Sequence, residues 1–292
     1  MATTAKKRSA KKPKTSAASK KNVKSVSKKA PTKKSTNKEV TSGKLKKFNI
    51  FSAISFALFA VLSVVFMSRD TVSANLPYAA KDAFASVTST VFGPAYKMLA
   101  EVEIRYVLAF IFGLSAIFSV LLATRLSKKY ETQVAGSVSV LRWVFTSITL
   151  GLILELTTKL TFIDSVITLK IVGALVVVTG ILWIMSEKQN KGSKGQAGTF
   201  YLSLFTLFLA VMPLLVSLVA SCIYGMERFG WHVYALAAAI LIGLAALAMT
   251  QYKAIKNGVS AKGYSELEGK YLSVDYLVKF SVFIILLIAF FK

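Results

Sequence analysis

Seven apolar stretches recur along this chain, at residues 48–68, 104–124, 136–158, 164–185, 199–222, 231–250 and 271–291. Each is close to the roughly 20 residues that a helix needs to cross the hydrocarbon core of a bilayer. A helix satisfies its own backbone hydrogen bonds, which lipid cannot do, so stretches of this kind fold as a helical bundle. The expected fold is all-α: one seven-transmembrane-helix bundle. Gly113, Gly173, Gly180, Pro213 and Gly243 lie inside the stretches, where membrane helices tolerate them. Composition agrees, since 54% of the 292 residues are hydrophobic and mean hydropathy is +0.59. That is too apolar for a soluble globular domain.

Charge divides the chain into two parts. Residues 1–47 hold 17 of the 37 Lys and Arg but a single acid, Glu39. With almost nothing to bury, residues 1–47 read as a disordered Lys-rich tail, and residues 48–292 as the membrane domain. The tail and three alternate loops ("RLSKKYE", "EKQNKGSK", "YKAIKNGVSAKGYSELEGK") are basic, while 69–101, 159–164 and 224–230 are near neutral. The positive-inside rule then puts the N-terminus in the cytoplasm and the C-terminus outside. Loop 69–101 is the longest and carries enough apolar and β-branched residues to be ordered against the bundle. A Lys cluster beside a membrane helix is drawn to anionic lipid headgroups. Non-specific nucleic-acid binding is the alternative for the tail.

The seventh stretch, "YLSVDYLVKFSVFIILLIAFFK", carries Asp275 and Lys279. Their i, i+4 spacing puts them on one helix face. A lysine at that depth costs roughly 2.5–3.5 kcal/mol unless it is paired. Spacing alone allows a structural ion pair or a lysine whose amine is kept for chemistry. In the third stretch, Arg142 lies at a comparable depth, so an Arg–Asp–Lys cluster is expected if the two helices are neighbours; the alternative is an arginine that reaches to the headgroups. Thr146 and Thr149 bracket the same face, either facing a polar ligand or back-bonding to their helix. Glu155 is expected to pair with Lys159 or Lys170 near the far end. Trp143 and Trp183 either line a pocket or fill the core. His232 reads as an interfacial anchor. Cys222 stands alone, so no intrachain disulfide forms, and one His with one Cys makes a metal site improbable. No Gly-rich phosphate loop, nucleophile elbow or metal-ligand spacing occurs, so no enzymatic activity is expected.

Several segments, in order and spacing, resemble heliorhodopsins: "FGLSAIF" in the second stretch, "LRWV" in the third, "WIMSEK" closing the fourth, Pro213 in the fifth, and "QYKAIKNG…YSELEGKYLSVDYLVK" leading into the seventh. The resemblance implies a light sensor more than an ion pump. It implies all-trans retinal held as a protonated Schiff base on Lys279, with Arg142 as the family's third-helix arginine. Related bundles often dimerise, which makes a homodimer an expectation of the same kind. This sequence departs from the family pattern at four places. The family's glutamate counterion position holds Phe145, a second-helix histidine is replaced by Ser119, the residue one turn before the lysine is Asp275 where serine is usual, and Leu244 stands where a large aromatic is expected. A protonated Schiff base needs a nearby anion to keep its proton. The expectation is therefore a counterion transferred from the third helix to Asp275. Two rival functions stay open: a non-photochemical bundle with a structural Asp275–Lys279 pair, and a light-gated ion transporter marked by Arg142, Asp275 and Glu155.

Overall fold

The computed structural model describes residues 36–81, 92–191, 197–225, 229–257 and 261–292. In chain order these form α1 (Thr36–Phe66), β1 (Thr71–Lys81), β2 (Phe92–Glu103), α2 (Ile104–Ala123), α3 (Ser127–Ala135), α4 (Val140–Lys159), α5 (Val166–Gln189), α6 (Gly198–Tyr224), α7 (Trp231–Asn257) and α8 (Ala261–Ala289). Every helix except α3 is long and apolar enough to cross a membrane. The protein is an integral, multi-pass membrane protein.

Side chains such as Ile54, Leu58, Phe110, Ile117, Phe205 and Ile242 are exposed on the bundle's outside, the surface that meets lipid. Lipid removes the hydrophobic drive for helices to associate, so close packing has to hold them together. Small residues supply it. A Cβ on Gly151 would press on the Gly173 carbonyl oxygen, bringing α4 against α5, and a Cβ on Gly243 would overlap Val278, bringing α7 against α8. The buried core runs through all seven spans. On one side it holds Phe56, Phe59, Phe112 and Phe283, and on the other Trp143, Trp183, Leu207, Leu214, Leu244 and Leu247.

Three parts differ from the sequence reading. Helix α1 starts at Thr36, so residues 36–47, assigned to the disordered tail, form its first turns. Lysine is a good helix former, and composition alone hides that continuity. Residues 1–35, and with them most of the tail expectation, lie outside the described residues. Second, within the all-α seven-helix bundle one connection forms strands. Loop 69–101 contains an antiparallel hairpin pairing Thr71 with Glu103 through Lys81 with Phe92, with a register slip at Ala74/Asn75. The Asn75 amide donates to the Asp164 carbonyl at 3.1 Å, which pins β1 to the turn between α4 and α5. Residues 82–91 are outside the description. Third, α3 occupies a connection read as loop. Its two buried residues, Tyr130 and Val134, are one turn apart, and the rest of its surface is polar.

Candidate functional site

Lys279 and Asp275 form one ion pair inside the bundle. The ammonium Nζ lies 2.7 Å from Asp275 Oδ2, with the two side chains 4% and 12% exposed. The Phe56 ring faces the same ammonium at 5.3 Å. Beside the pair is a cavity of about 30 Å³ whose lining includes Asn49, Ser52, Ser119, Arg142, Phe145 and Thr146. Four buried polar atoms on this lining have no hydrogen-bond partner: Asn49 Nδ2, Ser52 Oγ, Arg142 Nη1 and Asp275 Oδ1. One carboxylate oxygen of the pair is thus taken and the other is free.

Arg142 borders this cavity but belongs to a different cluster. Its Nε donates to Glu268 Oε2 at 2.8 Å and its Nη2 to Glu187 Oε1 at 3.0 Å. Its guanidinium lies 3.8 Å from the centre of the Trp143 ring and 3.9 Å from that of Tyr271. Glu187 takes further donors from the Trp143 indole (2.7 Å), the Ser139 amide (3.0 Å) and the Tyr264 hydroxyl (2.8 Å). Glu268 takes the Tyr130 hydroxyl at 2.6 Å and the Ser139 hydroxyl at 2.9 Å. Burial first, and then the Glu268 carboxylate, push the Tyr130 phenol well above its ordinary range, which keeps it a neutral donor. The expected Arg–Asp–Lys cluster is therefore corrected. Arg142 shares a cavity wall with Asp275, while its ion pairs go to Glu187 and Glu268. Those two acids were not singled out from the sequence. Both sit near the ends of apolar stretches, where acids are ordinary, and nothing local separates them from exposed Glu131 or Glu266.

The remaining candidates divide. Ser119, Phe145 and Thr146 line the cavity; Phe145 stacks on Phe118 with centroids 4.1 Å apart. Thr149 is turned back on its own helix, bonded to the Phe145 and Thr146 carbonyls. Trp143 packs 4.4 Å from Trp183 in the core and serves Glu187. Leu244 is buried in the core and Pro213 lies within α6; neither lines the cavity. Glu155 pairs with Lys170 at 2.6 Å, whereas Lys159 pairs with Asp164. His232 packs on Phe290, ring centroids 5.4 Å apart.

The lysine near the middle of the last span, with an acid one turn before it, points to the retinal-binding bundles, and the family comparison decides which. A family model described as heliorhodopsin matches residues 45–284. The chain belongs to the heliorhodopsin family. No curated protein matches it. The family is one of rhodopsin-like light-sensing membrane proteins that in general bind retinal. In this heliorhodopsin a buried primary amine, Lys279 Nζ, adjoins a carboxylate, Asp275, whose second oxygen has no hydrogen-bond partner among the described residues. Beyond the amine, the core is filled by Trp143, Trp183, Leu214, Leu244 and their neighbours. The 30 Å³ beside the pair is well below the roughly 300 Å³ of a small-molecule site.

Proposed function

We propose that this heliorhodopsin binds retinal through Lys279 and acts as a light sensor, with Asp275 as the counterion. The observation that carries the reading is the buried pair at 2.7 Å in which Asp275 keeps one oxygen unpartnered. Bound retinal would supply light absorption and isomerisation. The chain's own residues would do the rest. Lys279 provides the attachment nitrogen, and Asp275, one helical turn away, balances its positive charge. Phe145 and Phe118 fill the space where a third-helix carboxylate would stand, so Asp275 has no rival there. Arg142 leaves Asp275 free because its Nε and Nη2 are bonded to Glu268 and Glu187. A sensor needs a two-state element that both forms of the chromophore bias, and helix α8, which carries Lys279, Asp275, Tyr271 and Glu268, links the attachment site to the Arg142 cluster. We also place the face where α1 begins in the cytoplasm, on the loop charges, with residues 1–47 against anionic headgroups.

The test is the Asp275→Asn variant expressed with all-trans retinal. Loss of the visible band to the ultraviolet supports the assignment, and an unchanged visible band refutes it. A second reading, a bundle in which the pair is structural and retinal is not held, is favoured by the 30 Å³ cavity and the filled core. It predicts that no chromophore is taken up by the unmodified protein.

A further inference from the structure

We infer that Phe56 is a positioning residue for Lys279: alongside Asp275, the face of its ring stabilises positive charge on the Lys279 nitrogen. For the free ammonium the inference stands without retinal. Its extension to the retinal-bound nitrogen rests on the reading proposed above.

An ammonium carries three N–H donors, and among the described residues one is spent, on Asp275 Oδ2 at 2.7 Å. A single carboxylate bond is thin cover for a charge only 4% exposed. The Phe56 ring adds to it. Lys279 Nζ lies over that ring, 5.3 Å from its centroid, within the roughly 6 Å at which the electron-rich face of an aromatic ring attracts a cation. Phe56 is itself buried, and such contacts are strongest when both groups are out of water.

Packing fixes the ring in this place. Tyr276, next to Asp275 on α8, meets Phe56 at 5.5 Å; Phe59 meets it edge-on at 6.1 Å, and Phe112 of α2 lies nearly parallel at 6.5 Å. Rings from three helices thus leave Phe56 little freedom. The other buried cation of the bundle is treated alike, since Arg142 has the Trp143 and Tyr271 rings besides its two carboxylates. Lys279 has half of that arrangement, one carboxylate and one ring. Filling the core at position 56 asks only for apolar volume, which an aliphatic side chain also supplies. A cation distinguishes the two, because only the ring has a negative face. Asp275 is the one carboxylate on the cavity lining, where α4 contributes Phe145, so Phe56 supplies the other electron-rich surface at the nitrogen.

The experiment replaces Phe56 in the full chain by mono-, di- and trifluorinated phenylalanine. Fluorine barely changes the shape of the ring but withdraws electron density from its face. Thermal unfolding is followed in detergent without retinal, in two backgrounds. One is the native chain; the other carries Asp275→Asn with Lys279→Met, which removes both charges of the pair (Lys279→Gln takes the place of Lys279→Met should that protein not fold). The added apolarity of fluorine acts equally in both, so the readout is the difference between them. With each fluorine the native background is expected to lose melting temperature relative to the neutral one, by about 2–4 °C over the series. A packing role moves both backgrounds together, so parallel series overturn the inference. Protein expressed with all-trans retinal gives a second readout. A weaker ring face beside the nitrogen lets positive charge spread along the polyene, and the visible band is expected to move stepwise to longer wavelength. A band that holds its position in every variant overturns the extension to the retinal-bound nitrogen. Absence of any band refutes retinal binding instead, and the unfolding series still decides the role of Phe56.

Discussion

This bundle buries two sets of charges within one turn or two of each other on α8, and they are built on opposite plans. Around Arg142, Glu187 accepts four hydrogen bonds and Glu268 three, and aromatic rings sandwich the guanidinium. At Lys279 there is one ion pair, one free carboxylate oxygen and a cavity. A buried network whose carboxylates are multiply bonded holds one arrangement, because every departure leaves a charge without a partner. A half-satisfied one is costly as structure and useful as chemistry, since its unfilled valences can accept a new bond, a water or a proton. The first set positions α4, α5 and α8; the second is where the proposed attachment of retinal would occur.

The comparison breaks first at Arg142. Arg142→Ala strands two buried carboxylates, and removing one partner of such a group costs about 3–5 kcal/mol. Thermal unfolding in detergent, without retinal, is expected to show this as the largest loss of any single change in the bundle. A loss no greater than that of Asp275→Asn would mean that the two sets are alike. Asp275→Asn should cost less, about 1–3 kcal/mol, because Asp275 has one bond to lose and neighbouring space for water. Its spectral effect sharpens the contrast. In the retinal-loaded protein, adding Phe145→Glu to Asp275→Asn supplies a carboxylate from α4, and visible absorption is expected to return. A double variant that stays in the ultraviolet would show that position 145 does not reach the Lys279 nitrogen.

Much of this was legible in the chain. Span number, Lys279 and Asp275 follow from length, period and i, i+4 spacing, all properties of one helix at a time. The partners of Arg142 were not legible, because Glu187 and Glu268 come from two other helices and resemble interfacial acids until the bundle closes. The hairpin at 71–103 was read only as ordered loop; Pro77 and Pro94 lower a strand signal that cross-strand pairing then overrides. Phe145 shows the reverse case. The family resemblance marked it as the position where a glutamate counterion is usual, and in the structure its ring stacks on Phe118.

The smallest expected effect lies at the edge of the satisfied set. Tyr130 donates to Glu268 from α3, and its phenol is held well above the ordinary value by burial and then by that carboxylate. Because the folded value is the higher one, the contribution is complete below about pH 10, the unperturbed tyrosine value, and is lost as pH rises through the folded value. Melting temperature should therefore fall above about pH 10. Tyr130→Phe should lower stability by about 1 kcal/mol at neutral pH and make that alkaline fall shallower. A pH profile identical to that of the unmodified protein would remove Tyr130 from the account.

The central claim is that Lys279 is a reactive amine rather than half of a structural pair. It is tested by the absorption spectrum of purified protein expressed with all-trans retinal, recorded beside Lys279→Ala. The account predicts a visible band that is absent in Lys279→Ala. No band in either protein, or a band that persists in Lys279→Ala, would contradict it.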